Sequence, residues 1–200
     1  MIKIFISEKK DSSIDEFMQE RKINNVVYTE NIHGSDVAIV DKESSGKKIK
    51  GKDALITGEE DLYLCTTVAD CLPIFLWNKE IIALAHGGWR GINLGIVSNV
   101  VRKMKEISSE EISAYIGPGI GKCHFEVQND VASNFFGFTE ERDGKIFVDL
   151  REVVKKTLNN EGILDLKINN ECTYCSNRYF SYRRDKSNKR MFAFIGIKNK

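Results

Sequence analysis

Within six residues the chain sets out an imidazole, a flat indole and a permanently charged guanidinium, in the order His86-Gly87-Gly88-Trp89-Arg90-Gly91. Each of these side chains alone is an ordinary structural residue; the combination marks a site. The glycines let the backbone bend or admit a ligand closely. Trp89 offers a stacking face, and Arg90 offers a planar donor fork suited to phosphate or carboxylate. Just upstream, Asp70 and Cys71 stand together ahead of the apolar run Leu72-Pro73-Ile74-Phe75-Leu76. Cys65 and Cys71 read as buried thiols, as free cysteines commonly are. His33 lies beside Gly34 at the end of another apolar stretch, Val26-Val27-Tyr28.

A second set of reactive residues lies further along. Gly117-Pro118-Gly119-Ile120-Gly121 is a tight, shaped loop that runs directly into Cys123-His124. Its spacing matches neither a P-loop nor the dinucleotide fingerprint. Cys172 and Cys175 form one CxxC pair, and a closed zinc site needs four ligands, so this pair reads as two ordinary thiols. Arg183, Arg184 and Arg190 alternate with Tyr179, Phe180 and Tyr182, a mixture able to stack bases, hold phosphate or form structural ion pairs.

Elements must present these groups. Residues 1–6, 53–57, 62–68, 72–76 and 81–85 read as strands from their apolar runs and bounding turn residues. Three strand ends thereby bring Asp70, Cys71 and His86 toward one turn region. Ser12-Ser13 supplies an N-cap for a short helix, and residues 41–52 read as a polar surface loop. Leu94, Val97, Val100, Val101 and Met104 lie on one face of a helix over 93–107. Residues 128–136 and 150–160 read as further helices, and 114–116, 145–150, 163–168 and 191–197 as strands.

With 200 residues, 42% of them hydrophobic, the chain can bury a large core as a single domain spanning 1–200. Lysine plus arginine total 30 against 29 acids, so no general attraction to nucleic acid or an anionic membrane is expected. No apolar run reaches the roughly 20 residues of a membrane span. Five cysteines, an odd number without a leader-like apolar start, predict reduced thiols and a cytoplasmic protein.

The ordered segments Ile32-His33-Gly34, Asp53 to Thr57, Thr67 to Pro73, Ala85 to Gly91, Ile116 to Gly121 with Cys123 and Phe125-Glu126-Val127, Asp149-Leu150, Cys172-Thr173 and Phe180 to Asp185 with Arg190 span most of the chain. In them the sequence resembles the YfiH-like family, also called the multicopper polyphenol oxidoreductase or peptidoglycan editing factor family. The resemblance implies an α/β fold of the α+β type, with a mixed β-sheet core flanked by helices, similar to the cysteine-hydrolase domain of the cytotoxic necrotizing toxins. It implies a purine nucleoside phosphorylase acting on adenosine, inosine and methylthioadenosine, with adenosine deaminase activity. The partner is then a small purine nucleoside and the co-substrate phosphate. Older descriptions of the family are laccase-like, although oxidation at several coppers needs more histidine ligands than three.

By the same resemblance a metal, zinc or copper, is held by His86, by Cys123 after the Gly-Pro loop, and by a histidine further downstream. No histidine follows His124, which leaves Glu140, Glu141, His124 or His33 to complete the set. Such a metal can activate water against adenine. Alternatively Cys123 is a thiolate nucleophile with His86 as its base. Arg90 or Arg183 would neutralise phosphate, Asp70 would steer the purine, and Trp89 and Arg184 would complete substrate binding, with His33 a further catalytic candidate. Two other functions compete: a cysteine hydrolase editing peptidoglycan precursors, and a non-catalytic binding protein.

Overall fold

A computed structural model describes residues 1–11 and 13–198. Two mixed sheets form its centre. The first runs in the order Ile2–Ile6, Met191–Ile197, Tyr63–Val68, Val26–Thr29, Lys48–Ile49. The second runs Leu166–Ile168, Ser113–Ile116, Leu72–Trp77, Ile82–Gly87, Ala54–Thr57, Val37–Ile39. Both contain parallel and antiparallel pairs. A small antiparallel sheet of Glu126–Val127, Lys145–Val148 and Thr139–Arg142 lies apart from them.

The layering follows from which side chains each strand buries. Val27, Leu64 and Ile195 of the first sheet share a core with Leu55, Phe75 and Leu84 of the second, so these two sheets pack face to face. The far side of the second sheet, through Ile56, Ile74, Ala83 and Ala85, packs on the helices Ile96–Ile107 and Leu150–Asn160. The far side of the first, through Tyr63, Cys65 and Phe194, packs on Phe17 of the helix Ile14–Glu20. Because residues 72–76 and 82–85 are covered on both faces, they are apolar throughout rather than alternating. Among the described residues, no helix is long and apolar enough to cross a membrane.

Several expectations need local revision. Ser13 caps the first helix, its Oγ accepting from the Asp15 and Glu16 amides; Ser12 lies outside the described residues. Residues 41–52 are not all loop: they contain a 3-10 turn, Lys42–Ser44, and the edge strand Lys48–Ile49. The helix expected over 93–107 is broken at Gly95, whose φ of +85° suits glycine, so a separate short helix spans Trp89–Asn93 and Leu94 is 60% exposed. Val97, Val100, Val101 and Met104 do form the buried face. Residues 128–136 are one α-turn, Asn129–Ala132, followed by a 3-10 turn, Ser133–Phe135.

Candidate active site

The antiparallel strands Leu72–Trp77 and Ile82–Gly87 pair Leu72 with Gly87 and Pro73 with His86. Cys71, one residue before the first strand, therefore emerges at the same sheet end as His86. The strand Ala54–Thr57 flanks Ile82–Gly87 on its other side with Ala54 opposite Ala85, which puts Asp53 beside His86. The His86 amide donates to the Asp53 carbonyl at 2.8 Å, and His86 Nδ1 meets Asp53 Oδ1 at 2.8 Å.

Asp53 does more than hold one ring. Its carboxylate also accepts the backbone amides of Ile32 at 3.0 Å, His33 at 2.9 Å and Gly34 at 3.0 Å. Those bonds hold His33 in a left-handed conformation, φ +62°, that non-glycine residues seldom adopt. One fully buried carboxylate thus positions both imidazoles. The rings meet edge to face, centroids 4.9 Å apart, and His33 Nε2 lies 3.9 Å from Cys71 Sγ.

The charges are mutually reinforcing. Burial opposes the thiolate at Cys71, but hydrogen bonding from His33 and His86 outweighs it and brings the thiol down to about 6. Burial likewise opposes the imidazolium at His86, yet the Asp53 carboxylate and the Cys71 sulfur carry it up to about 9. Asp53 is desolvated, and its bonds to His86, Gly34 and His33 still hold it below the usual carboxylate range. Between about pH 6 and about 9 the metal-free site is therefore a thiolate–imidazolium pair backed by a carboxylate.

Such a site can do either of two things. A thiolate lowered this far is a nucleophile with an acid beside it. The same donors also suit a transition metal: the ligating atoms of His33, Cys71 and His86 lie within 4.8 Å of one another. With Nδ1 of His86 committed to a carboxylate, its Nε2 is left to face a cation, the arrangement common for metal-bound histidine. Three protein ligands and an open side form the pattern of a catalytic rather than a structural zinc.

The open side is a cavity of about 800 Å³. Aromatic walls come from Tyr28, Phe125 and Phe192, and cations from Arg183, Arg190 and Lys48. Asn31, also left-handed at φ +62°, lies on its floor, donating to the Thr67 carbonyl at 2.9 Å and accepting from Thr66 Oγ1 at 2.9 Å. A larger depression of about 1030 Å³ near Trp77 and Leu164 is lined by no histidine or cysteine and lacks this chemistry.

The structure separates the expected residues into those that meet here and those that do not. His33, Asp70, His86 and Arg183 line the cavity. Cys123 does not share a donor cluster with His86: it stands with His124, Cys172 and Cys175. The reason is topological, since Cys123 follows the strand Ser113–Ile116 through a loop that bridges to Cys172, whereas Cys71 is delivered by the strand that pairs with that of His86. Asp70 has both carboxylate oxygens occupied, by Thr173 Oγ1 at 2.6 Å and the Arg183 amide at 2.7 Å, and so positions Arg183. The Arg184 guanidinium is spent on the carbonyls of Thr173, Tyr174, Ser176 and Tyr179 and on Asp185, away from the cavity. Arg90 is exposed and lies over Trp89, 4.7 Å from the ring, and neither lines this cavity; Trp89 borders a smaller neighbouring depression with Phe125 and Arg183.

Sequence reasoning gave Asp53 no role, although it heads one of the segments that carry the family resemblance, and read Cys71 as a buried thiol; the structure sets Asp53 against His86 and Cys71 near His33. The adjacency of an acid and a thiol at a strand mouth was the available signal. One consequence is directly measurable. In reduced, metal-stripped protein, iodoacetamide modifies Cys71 first, and the rate rises through about pH 6 and then levels off, because a lowered thiol is already thiolate above its own value. Partial desolvation and the neighbouring Cys172 and Cys175 sulfurs push Cys123 up to about 12, and burial raises Cys65 away from reactivity. Peptide mass spectrometry across pH checks the order; first labelling at Cys123 would contradict it.

Fold and site together define an α/β protein with a His–Cys–His centre at the mouth of a sheet. Residues 9–198 match the family described as multi-copper polyphenol oxidoreductase laccase, and the chain belongs to that family. It is 34% identical over 161 residues to a purine nucleoside phosphorylase of Aquifex aeolicus, covering 80% of this chain and 77% of that protein. It is 33% identical to the purine nucleoside phosphorylase YfiH of Escherichia coli, covering 86% and 73%. The crystal structure of YlmD from Geobacillus stearothermophilus superposes with a TM-score of 0.86 at 28% identity, over 92% of this chain and 78% of that one.

Proposed function

We propose that this chain is a purine nucleoside phosphorylase whose active centre is His33, Cys71 and His86, with Asp53 as the residue that positions both imidazoles. The observation that carries the reading is the convergence, in one cavity, of that centre with aromatic faces and three cations. Relatives bearing the name purine nucleoside phosphorylase support it.

The reaction joins a phosphate oxygen to C1′ of the ribose, breaks the glycosidic bond and releases the base with a proton. Tyr28, Phe125 and Phe192 supply flat or apolar faces for purine and sugar. Arg183, held by the Asp70 carboxylate at its amide and by the Glu126 carbonyl at Nη1 (2.9 Å), keeps further N–H donors for the incoming phosphate, with Arg190 beside it. The attacking hydrogen phosphate brings the proton that the leaving purine takes up, and His86, held by Asp53, orients the centre rather than donating once its free nitrogen holds a metal. A zinc or copper ion bound by His33, Cys71 and His86 would supply Lewis acidity at the open side of the centre. The Asp53 carboxylate fixes which His86 nitrogen faces the cavity, and the Asn31 amide braces the floor.

Adenosine, inosine and methylthioadenosine are the proposed nucleosides. Adenosine deamination is proposed at the same centre: water adds its oxygen to adenine C6, the bond from C6 to the amino nitrogen breaks, and ammonia leaves with one proton of the water while the other goes to N1, giving inosine. A single-domain protein working in the reducing cytoplasm fits a centre that depends on a free thiolate.

Metal-loaded protein incubated with adenosine, with and without phosphate, and resolved by chromatography tests the reading. Adenine that appears only with phosphate supports phosphorolysis; inosine without phosphate supports deamination. No turnover of any of the three nucleosides would overturn the proposal, and cleavage of a peptidoglycan precursor instead would favour an editing hydrolase.

Gly88 supplies a finer check. Its φ of −73° suits any residue, but a Cβ there would come within 2.6 Å of His33 Cδ2. Gly88→Ala is expected to displace that ring and lower kcat/KM about a hundredfold, since ångström-scale misplacement costs that much. Steady-state kinetics beside a thermal melt separates this from unfolding; unchanged kinetics would remove His33 from the centre.

A further inference from the structure

The second cluster of soft donors has no part in the reaction proposed above. Cys123 and His124 follow the Gly117–Gly121 loop, and Cys172 and Cys175 are the CxxC pair some fifty positions later, at a separation of 51 between Cys175 and His124. The backbone brings them together: Gly119 bridges to Cys172, the Thr173 amide donates to the Gly119 carbonyl at 3.0 Å, and the Gly121 amide points at Cys172 Sγ from 3.2 Å. Arg151, buried behind the loop, donates to the carbonyls of Gly119 at 2.5 Å and Glu171 at 2.6 Å, tying the two segments from the other side.

The resulting donors are spaced for a tetrahedral ion. With zinc–sulfur bonds of roughly 2.3 Å, the edge of a thiolate tetrahedron is about 3.7 Å. Cys123 Sγ and Cys175 Sγ are 3.7 Å apart, Cys175 Sγ and His124 Nδ1 are 3.2 Å apart, and all four donor atoms lie within 4.8 Å of one another. The His124 ring is fixed by stacking on Tyr174, centroids 3.9 Å apart at 16°. Cys123 and Cys175 are exposed, which leaves a path for an ion to enter, while Cys172 anchors the buried side.

We infer that Cys123, His124, Cys172 and Cys175 form a second, structural zinc site that staples the Gly117–Cys123 loop to the CxxC turn. Three cysteines and one histidine close the coordination sphere, so this ion has no open position for substrate, unlike the His33–Cys71–His86 centre. Its function is positional. Thr173, next to Cys172, bonds the Asp70 carboxylate, and the His124 carbonyl lies 3.4 Å from Arg183 Nη1, so the staple borders the wall that presents Arg183 to the cavity.

Reduced, metal-stripped protein is loaded with zinc chloride, freed of excess and its zinc counted by atomic emission, in wild type, in Cys123→Ser/Cys175→Ser, in His124→Ala and in His86→Ala. The expected result is two zinc ions per chain in wild type and loss of one in the double serine variant. That same variant should lose the zinc-dependent rise in melting temperature. His124→Ala, which keeps all three cysteines, should bind the second ion at least about tenfold more weakly, and it guards against a fold lost with the double change. A cobalt-loaded His86→Ala protein should still show intense thiolate-to-cobalt charge transfer, because its remaining ion sits among three sulfurs. The inference is overturned if the double serine variant keeps the full zinc content of wild type. It is also overturned if reduced wild type takes up only the ion that His86→Ala removes, or if Cys123 and Cys175 are joined by a disulfide that zinc and reductant fail to displace. Loss of an ion in His86→Ala but not in the serine variant speaks against this site alone and leaves the catalytic centre standing.

Discussion

Cys71→Ala is expected to abolish most phosphate-dependent cleavage of adenosine, lowering kcat/KM by more than about a hundredfold while the melting temperature of the metal-free protein changes little. The loss follows from what the sulfur does. Among the described residues it is the cavity thiol that clusters with both imidazoles, and it is the partner that, with Asp53, keeps His86 charged. Without it the centre retains two nitrogens, and a metal held by two protein ligands binds far more weakly than one held by three. Removal of a supporting partner alone typically costs tenfold to a hundredfold, so loss of a ligand sets a lower bound above that. Cys65, which also borders the cavity but is fully buried, belongs to neither donor cluster and is raised rather than lowered, is the matched control: Cys65→Ala should cost some stability and leave kcat/KM within about threefold. Kinetics, metal content and melting measured on both variants decide the matter. Equal effects from the two cysteines would mean that Cys71 is a packing residue.

Asp53→Ala is expected to be the most destabilising substitution in the site, by about 3–5 kcal/mol, because it strands a buried imidazolium and three backbone amides that share one carboxylate. For a chain of this length that corresponds to a fall of very roughly 10 °C in melting temperature. Asp53→Asn separates charge from shape. The amide oxygen can still accept from the 32–34 loop, so stability should be lost only in part, while the imidazole loses its anionic partner and metal affinity falls about tenfold to a hundredfold. The pH dependence carries a definite sign. Asp53 titrates below its ordinary value in the fold, so its contribution is present above the usual carboxylate range and is lost as pH falls through the lower folded value. His86 is raised, so its contribution is full below about 6.5 and disappears as pH rises through about 9. The stability gap between wild type and Asp53→Ala, read by denaturant melts, should therefore narrow at both ends of that range. A gap that stayed constant from acid to pH 10 would show that packing, and not the charge pair, holds the loop.

Much of this molecule was open to local reading, for a physical reason. Strands 72–77 and 82–87 are buried on both faces, so they announce themselves as apolar runs, and the residues that end them, Cys71 and His86, stand out against that background. The buried face of the helix Ile96–Ile107 is likewise written in its spacing. His33 beside a glycine, Asp70 and Arg183 were expected at a site, and all three line the same cavity. Partner choice was not recognisable. Whether His86 meets Cys71 or Cys123 depends on strand register and on a bridge between Gly119 and Cys172, contacts between segments far apart in sequence. A CxxC pair reads as two ordinary thiols until another loop supplies Cys123 and His124. The segment that Asp53 heads reads as a strand and says nothing of a role; only the pairing of Ala54 with Ala85, and a left-handed loop at His33, turn an aspartate before a strand into the residue that holds both imidazoles. Side-chain chemistry was legible one residue at a time, whereas the geometry that makes it a site came from long-range pairing that short-range pattern does not encode.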